Sequence, residues 1–158
     1  MIYAKLYKDL IEIFEEMEDL CINNFDSFMI LFENIQYIDS EEDYDKFCEI
    51  NEQNEKRKAM SQFFINLVKN NVIKNEKMIE LIISLQEKMF ENLMNTNKKR
   101  EAEEIAENLY ILLYKNKYLF EEQKQIFENI ERIPDLNKKV YPGLTNKIIF
   151  KHLDIMES

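Results

Sequence analysis

His152 is the only histidine in the chain, and its surroundings offer no proton chemistry. It lies beside an apolar stripe with no Glu three residues before it. That excludes the di-iron carboxylate pattern and leaves no general base worth naming. Cys21 and Cys48 fall at apolar positions of expected helices and read as buried free thiols in a reducing compartment. An isolated pair provides neither a disulfide framework nor zinc spacing. The acidic pairs Glu15/Glu16 and Glu103/Glu104 read as solvated helix faces. One Gly and two Pro are too few for a glycine-rich phosphate loop, and no nucleophile–base motif is present. The expectation is a protein that is not an enzyme, with no cofactor, no metal and no small-molecule substrate.

Binding chemistry is better represented. Lys56-Arg57-Lys58 and Lys98-Lys99-Arg100 are basic clusters that could contact phosphates or a partner. Both lie near expected helix starts, where the helix dipole does not favour cations. Neither is interleaved with the exposed aromatics of a single-strand platform, so direct RNA binding is expected to be weak or absent. Charge is unevenly distributed: residues 1–55 hold sixteen acidic and three basic side chains, a balance of −13 within a total of −10. Such a segment repels nucleic acid and suits a basic protein partner, or is simply a solvated acidic face.

These residues must be positioned by helices. Glycine and proline are scarce and no long β-branched alternation occurs, so the chain reads as all-α and, at 158 residues, as one domain. Lys56 to Met94 organises it as two amphipathic helices around a polar turn. Met60, Phe63, Phe64, Leu67 and Val68 form a single buried stripe on the first. Met78, Leu81, Ile82, Leu85, Met89 and Leu93, with Ile79, Ile83 and Phe90, make the second apolar over more than half its girth. A helix needing two neighbours, joined to one needing a single neighbour, suggests stacked hairpins.

About eight helices are expected. The first covers about Ile2–Ile22, with Leu6, Leu10, Ile13, Phe14, Met17, Leu20 and Cys21 inward, and breaks at Asn23-Asn24. Asp26 or Ser27 caps a second helix reaching about Ile38, and Asp39–Asp43 caps a short third with Tyr44, Phe47, Cys48 and Ile50. Residues 51–54 read as a mobile connector. Later come Glu101–Tyr114, a helix from Leu119 to Ile130, a loop over 134–142, and a last helix capped by Thr145 and ending near Met156. On that last helix Ile149, Leu153 and Met156 share a buried stripe. At 100° per residue, Lys147, Lys151 and Asp154 face the opposite way, and Phe150 at the border reads on its own as core.

Three stretches resemble the middle domain of eukaryotic translation initiation factor 4G and its HEAT-like relatives. Tyr3-Ala4-Lys5-Leu6-Tyr7-Lys8-Asp9-Leu10 is similar to that family's Tyr-Ala-x-Leu-Cys-x-x-Leu helix, with Tyr7 in place of Cys. Phe63-Phe64-Ile65-Asn66-Leu67-Val68-Lys69 is similar to Phe-Ile-Gly-Glu-Leu-Phe-Lys, after the basic stretch Lys56-Arg57-Lys58. Leu144 to Ile155 is similar to the late Leu-Ser-x-Arg-Ile-x-Phe-x-x-x-Asp-Ile/Leu segment. The middle Gly is replaced by larger residues, and the hairpin that precedes Tyr-Ala in the family is absent, as in a fragment or a reduced version.

The resemblance implies an antiparallel HEAT-like stack across residues 1–158 that binds and positions a DEAD-box RNA helicase of the initiation factor 4A type, alongside other initiation factors. The match falls on Lys147, Phe150 and Asp154, with Lys151 beside them. Lys147 replaces Arg, which forfeits bidentate pairing with a carboxylate. A related adaptor in splicing, mRNA decay or cap-complex binding is the alternative. A bundle sequestering signalling or apoptotic helices ranks last, because Gly143 lies in a loop and the tail is polar. No apolar run is long enough to cross a bilayer and the N-terminus lacks a signal-peptide core, so a cytoplasmic protein is expected.

Overall fold

The structure is a computed structural model that describes residues 2–14 and 16–158. Among these residues there are seven α-helices and no strand: α1 (Ile2–Ile13), α2 (Glu16–Ile30), α3 (Tyr44–Lys69), α4 (Asn75–Leu93), α5 (Lys99–Leu113), α6 (Lys124–Arg132) and α7 (Asn146–Glu157). Three single 3-10 turns, at Thr96–Lys98, Lys117–Leu119 and Ile133–Asp135, tighten the connections. The helices pack together about one core. α1 and α2 lie against α3, α5 packs on α3, α4 and α7, and α6 closes against α4 and α7.

The organising pair keeps its expected faces. Phe64, Leu67 and Val68 of α3 are buried, with Met60 and Phe63 half-buried. On α4 all six residues from Met78 to Leu93 in the main stripe are buried, and Ile79, Ile83 and Phe90 are half-buried on a second side. α4 is thus covered by α3, α5 and α6. Asn71 adopts φ 58° in the turn between them, a left-handed conformation that Asn tolerates better than most residues. Two of the three anticipated caps are present: within Asp39–Asp43, Asp43 Oδ1 accepts the Lys46 N–H at 3.0 Å, and Thr145 Oγ1 accepts that of Ile148 at 3.4 Å.

Several boundaries differ from the sequence reading. The break expected at Asn23-Asn24 falls instead at Phe14, and α2 runs through both asparagines, so Asp26 and Ser27 are helical and cap nothing. Asn costs a helix only a few tenths of a kcal/mol. Here that is outweighed by burying Phe25 and Phe28, whose rings pack 5.1 and 5.0 Å from Phe64. Downstream α2 stops at Ile30, not near Ile38, and Phe32 and Ile35 reach the core from a turn and an irregular segment. Lys88 Nζ donates to the carbonyls of Phe32 and Glu33 in the turn just beyond α2, placing a cation near the negative end of that helix.

Residues 51–54 are not a connector: α3 passes through them unbroken, capped by Asp43 and held from within by Ile50 and Arg57. Cys48 is exposed, contrary to expectation, while Cys21 is buried. Burial, with the Glu18 carboxylate adding to it, pushes the Cys21 thiol up to about 11, so it stays protonated and inert near neutral pH. On α1 the expected inward stripe is largely uncovered. Leu6, Ile13 and the following Phe14 are exposed, as is Leu20 on α2, because α1 meets its neighbours through Ala4 and Tyr7 instead.

Candidate partner-docking surface

α5 is the helix on which the candidate surface is built. Its stripe of Ala102, Ile105, Ala106, Leu109, Leu112 and Leu113 is fully buried, as the spacing requires. Glu103, Glu104 and Asn108 are buried as well, which corrects the solvated reading of that acidic pair. α5 has neighbours on three sides, and its acids are enclosed because each finds a basic partner: Arg100 for Glu103 at 3.1 Å, and Arg57 for Glu104 at 3.6 Å. Glu15, of the other acidic pair, lies outside the described residues, and Glu16 is exposed.

Thr145 starts α7, which lies across α5. Its buried residues are Ile148, His152 and Ile155, one position earlier than the Ile149/Leu153/Met156 stripe expected from sequence; Ile149 and Leu153 are half-buried and Met156 is exposed. Two apolar stripes offset by one residue fit the sequence almost equally well. The choice between them turns on whether His152 is accepted into the core.

The shift of register determines what faces outward. Lys147, Phe150 and Asp154 are exposed and Lys151 is half-buried, and Phe150, read from sequence as core, is 62% exposed among polar neighbours. Glu107 of α5 holds this face in place. Its two carboxylate oxygens accept Lys147 Nζ at 3.1 Å and Lys151 Nζ at 3.0 Å. Burial raises the Glu107 carboxyl, but the hydrogen bonds from Lys151 and Lys147 outweigh it and hold the group below the usual range. Lys151 Nζ also lies 4.0 Å from the centre of the Tyr110 ring, which stacks on Tyr114 at 4.7 Å. Tyr110, Tyr114, Asp154, Glu157 and Ser158 line a shallow cleft of about 280 Å³ at the far end of the face. Glu107 and the two tyrosines were not singled out from sequence. The available signal was the i, i+4 spacing of Lys147 and Lys151, which calls for a shared anion.

The two basic clusters divide. Arg57 is buried and so presents no charge to a phosphate, whereas Lys56 and Lys99 are exposed. Lys58 pairs with Glu55 at 2.9 Å and Lys98 with Glu101 at 3.2 Å. Arg100 lies 5.4 Å from the centre of the Tyr37 ring. Lys58, Arg100 and Lys147, from three distant segments, line one polar cleft of about 230 Å³ together with Tyr37, Asn51, Asn54, Glu103 and Glu104. Arg100 pairs with Glu103 inside the cleft, while Lys58 and Lys147 pair with Glu55 and Glu107 outside its lining.

His152 Nδ1 donates to the Ile148 carbonyl at 2.8 Å, and Nε2 is buried with no hydrogen-bond partner among the described residues. Burial lowers its pKa against the opposing effect of that backbone bond. An unfolded chain takes up the proton near pH 6.5, while the folded one resists until lower pH. The stability from keeping His152 neutral is therefore complete above about pH 6.5 and is lost as pH falls below it, by at most about 1.4 kcal/mol per pH unit. Urea midpoints taken from pH 7 to pH 5 should fall more steeply for the native protein than for His152→Leu. Parallel slopes would mean His152 titrates alike in both states.

Among the described residues no group of three His, Cys, Asp or Glu side chains is placed to hold a metal, and no helix is long and apolar enough to cross a membrane. Comparison of the chain with protein-family models, curated proteins and solved structures finds no match.

Proposed function

We propose that this chain is a helical scaffold whose α7 face docks on one lobe of a DEAD-box RNA helicase of the translation-initiation type. The observation that carries the reading is Phe150, 62% exposed at the centre of a polar face, between Lys147 and Asp154. Interface energy concentrates in such aromatic anchors, while charged neighbours set orientation and exclude wrong partners. The lysines that flank Phe150 are fixed by Glu107, so little ordering is required when a partner arrives. Among the described residues the chain is all-helical and packs about one core, as the resemblance requires of it. The three similar stretches fall on α1, on α3 and on α7 with the two residues before it, spread from one end of the chain to the other.

The test is a titration of the protein against an initiation-type helicase, following both binding and RNA-stimulated ATPase. Phe150→Ala should weaken binding about thirtyfold, equivalent to the ~2 kcal/mol of an interface aromatic. Lys147→Glu and Asp154→Lys should weaken it further in combination with changed salt dependence. Retention of affinity by Phe150→Ala would remove α7 as the contact. Absence of binding at tens of micromolar by a folded protein would end the helicase reading.

A further inference from the structure

Among the described residues, α1 carries an apolar stripe that is largely uncovered. Ile2, Tyr3, Leu6 and Ile13 are exposed by 80, 76, 52 and 69%, and Leu10 between them is half-buried. At 100° per residue these five fall within one arc of roughly 100°, beside the arc of Ala4 and Tyr7 that meets the rest of the molecule. Such an arc is as wide as the apolar side of a helix that packs on another helix. The stripe runs into Phe14, 54% exposed, and then into the first turn of α2, where Glu16, Glu18 and Asp19 are all exposed. α2 has no basic residue, and α1 and α2 together hold six acidic and two basic side chains.

From this placement we infer that α1 is the seat of a basic amphipathic helix from another protein, its apolar side on the Leu6–Ile13 stripe and its Lys/Arg flank against the α2 acids. Charge selects the occupant. A second copy of this chain would bring a like set of acids to the same place, and close approach of like charges costs several kcal/mol across an interface. A basic helix is drawn to the site by the same acids and covers the apolar arc as it binds. The face lies on helices that pack against α3, away from the α7 surface on α5 and α6, and the inference does not rest on the helicase reading.

The probe is a labelled synthetic peptide of about five helical turns, with Leu at i, i+3, i+4 and i+7 and Lys on its flanks, followed by fluorescence anisotropy against the full chain. A single saturable site is expected, weakening severalfold between about 50 and about 300 mM salt. Leu6→Gln combined with Ile13→Gln, at exposed positions, should weaken it about tenfold or more without moving the thermal midpoint, and Phe150→Ala should leave it unchanged. Glu in place of Lys in the peptide should abolish binding. Equal binding of the Lys and Glu peptides would overturn the choice of partner, as would dimerisation of the chain that Leu6→Gln/Ile13→Gln disrupts. Failure of the Lys peptide to bind would overturn the site.

Discussion

Arg57→Ala is expected to remove some 3–5 kcal/mol of stability, a large part of the 5–15 kcal/mol available to a typical domain. The side chain is 2% exposed and joins α3, α5 and the turn that follows α2. Nη1 donates to the Leu31 carbonyl just beyond α2 at 3.3 Å, Nη2 donates to Asn54 of its own helix, and Nε lies 3.6 Å from Glu104 Oε1 on α5. Glu104 is tied in turn to Asn108 Nδ2 at 3.2 Å, and Asn108 Oδ1 accepts Ser61 Oγ at 2.8 Å. Removing the guanidinium strands a buried carboxylate, takes the donor from a main-chain carbonyl and opens a cavity.

Burial raises the Glu104 carboxyl even in the native protein, with Lys58 and Arg57 opposing it. Without Arg57 that rise must grow. A carboxyl whose folded pKa is raised stabilises the folded state as pH falls, so the loss caused by Arg57→Ala should be smaller at pH 5 than at pH 7. Arg57→Leu combined with Glu104→Leu removes both charges and should recover most of the loss, since a buried ion pair replaced by apolar side chains is often close to neutral. Urea midpoints for the three proteins decide this. A loss under about 1 kcal/mol in Arg57→Ala would show that water reaches Glu104 and that the pair is not a buried one.

Gly143→Ala should also be costly, for a reason of space rather than of dihedral angle. Gly143 N–H donates to the Leu93 carbonyl at 2.8 Å, bringing the segment before α7 against the C-terminus of α4. A Cβ there would stand 2.7 Å from the Asn92 carbonyl oxygen, 2.9 Å from Leu93 Cα and 3.0 Å from the Asn95 carbonyl oxygen. All three are main-chain atoms, so no side-chain rotation relieves the contact. Overpacking of this kind costs about 1–3 kcal/mol, more than the 0.4–1 kcal/mol that alanine recovers by restricting the unfolded chain. The backbone must move away, and Thr145 and the start of α7 move with it. Gly143→Ala should therefore lower the thermal midpoint by several degrees. It should also weaken any binding at the α7 face, although Gly143 itself is buried. An unchanged midpoint would show that the segment relaxes freely.

Hydrophobic spacing alone determined that this protein is helical, which faces of α3 and α4 are buried, that α4 is covered on two sides, and where α5 lies. These are local properties, because an apolar residue every three or four positions can be buried only as one face of a helix. The caps at Asp43 and Thr145 were legible for the same reason: a side-chain oxygen satisfies a main-chain N–H three residues ahead. That α3 and α4 each pack chiefly on α5 rather than on one another was decided by the tertiary structure. The fate of the charged residues was not local either. Arg57 looked like part of a surface cluster and Glu104 like part of a solvated pair, and each is buried only because the other reaches it across two helices. Residues 51–54 stay helical because Ile50 and Arg57 anchor the helix on either side of them.

The candidate surface followed the same logic. Lys147, Lys151 and Asp154 could be placed on one face from their spacing, but the role of Phe150 depended on which of two offset stripes α5 would accept. His152 went into the core with its Nδ1 satisfied by the Ile148 carbonyl, and that choice turned Phe150 outward. Periodicity gives the angle between residues on a helix, while the energy of packing against a particular neighbour decides which angle faces in.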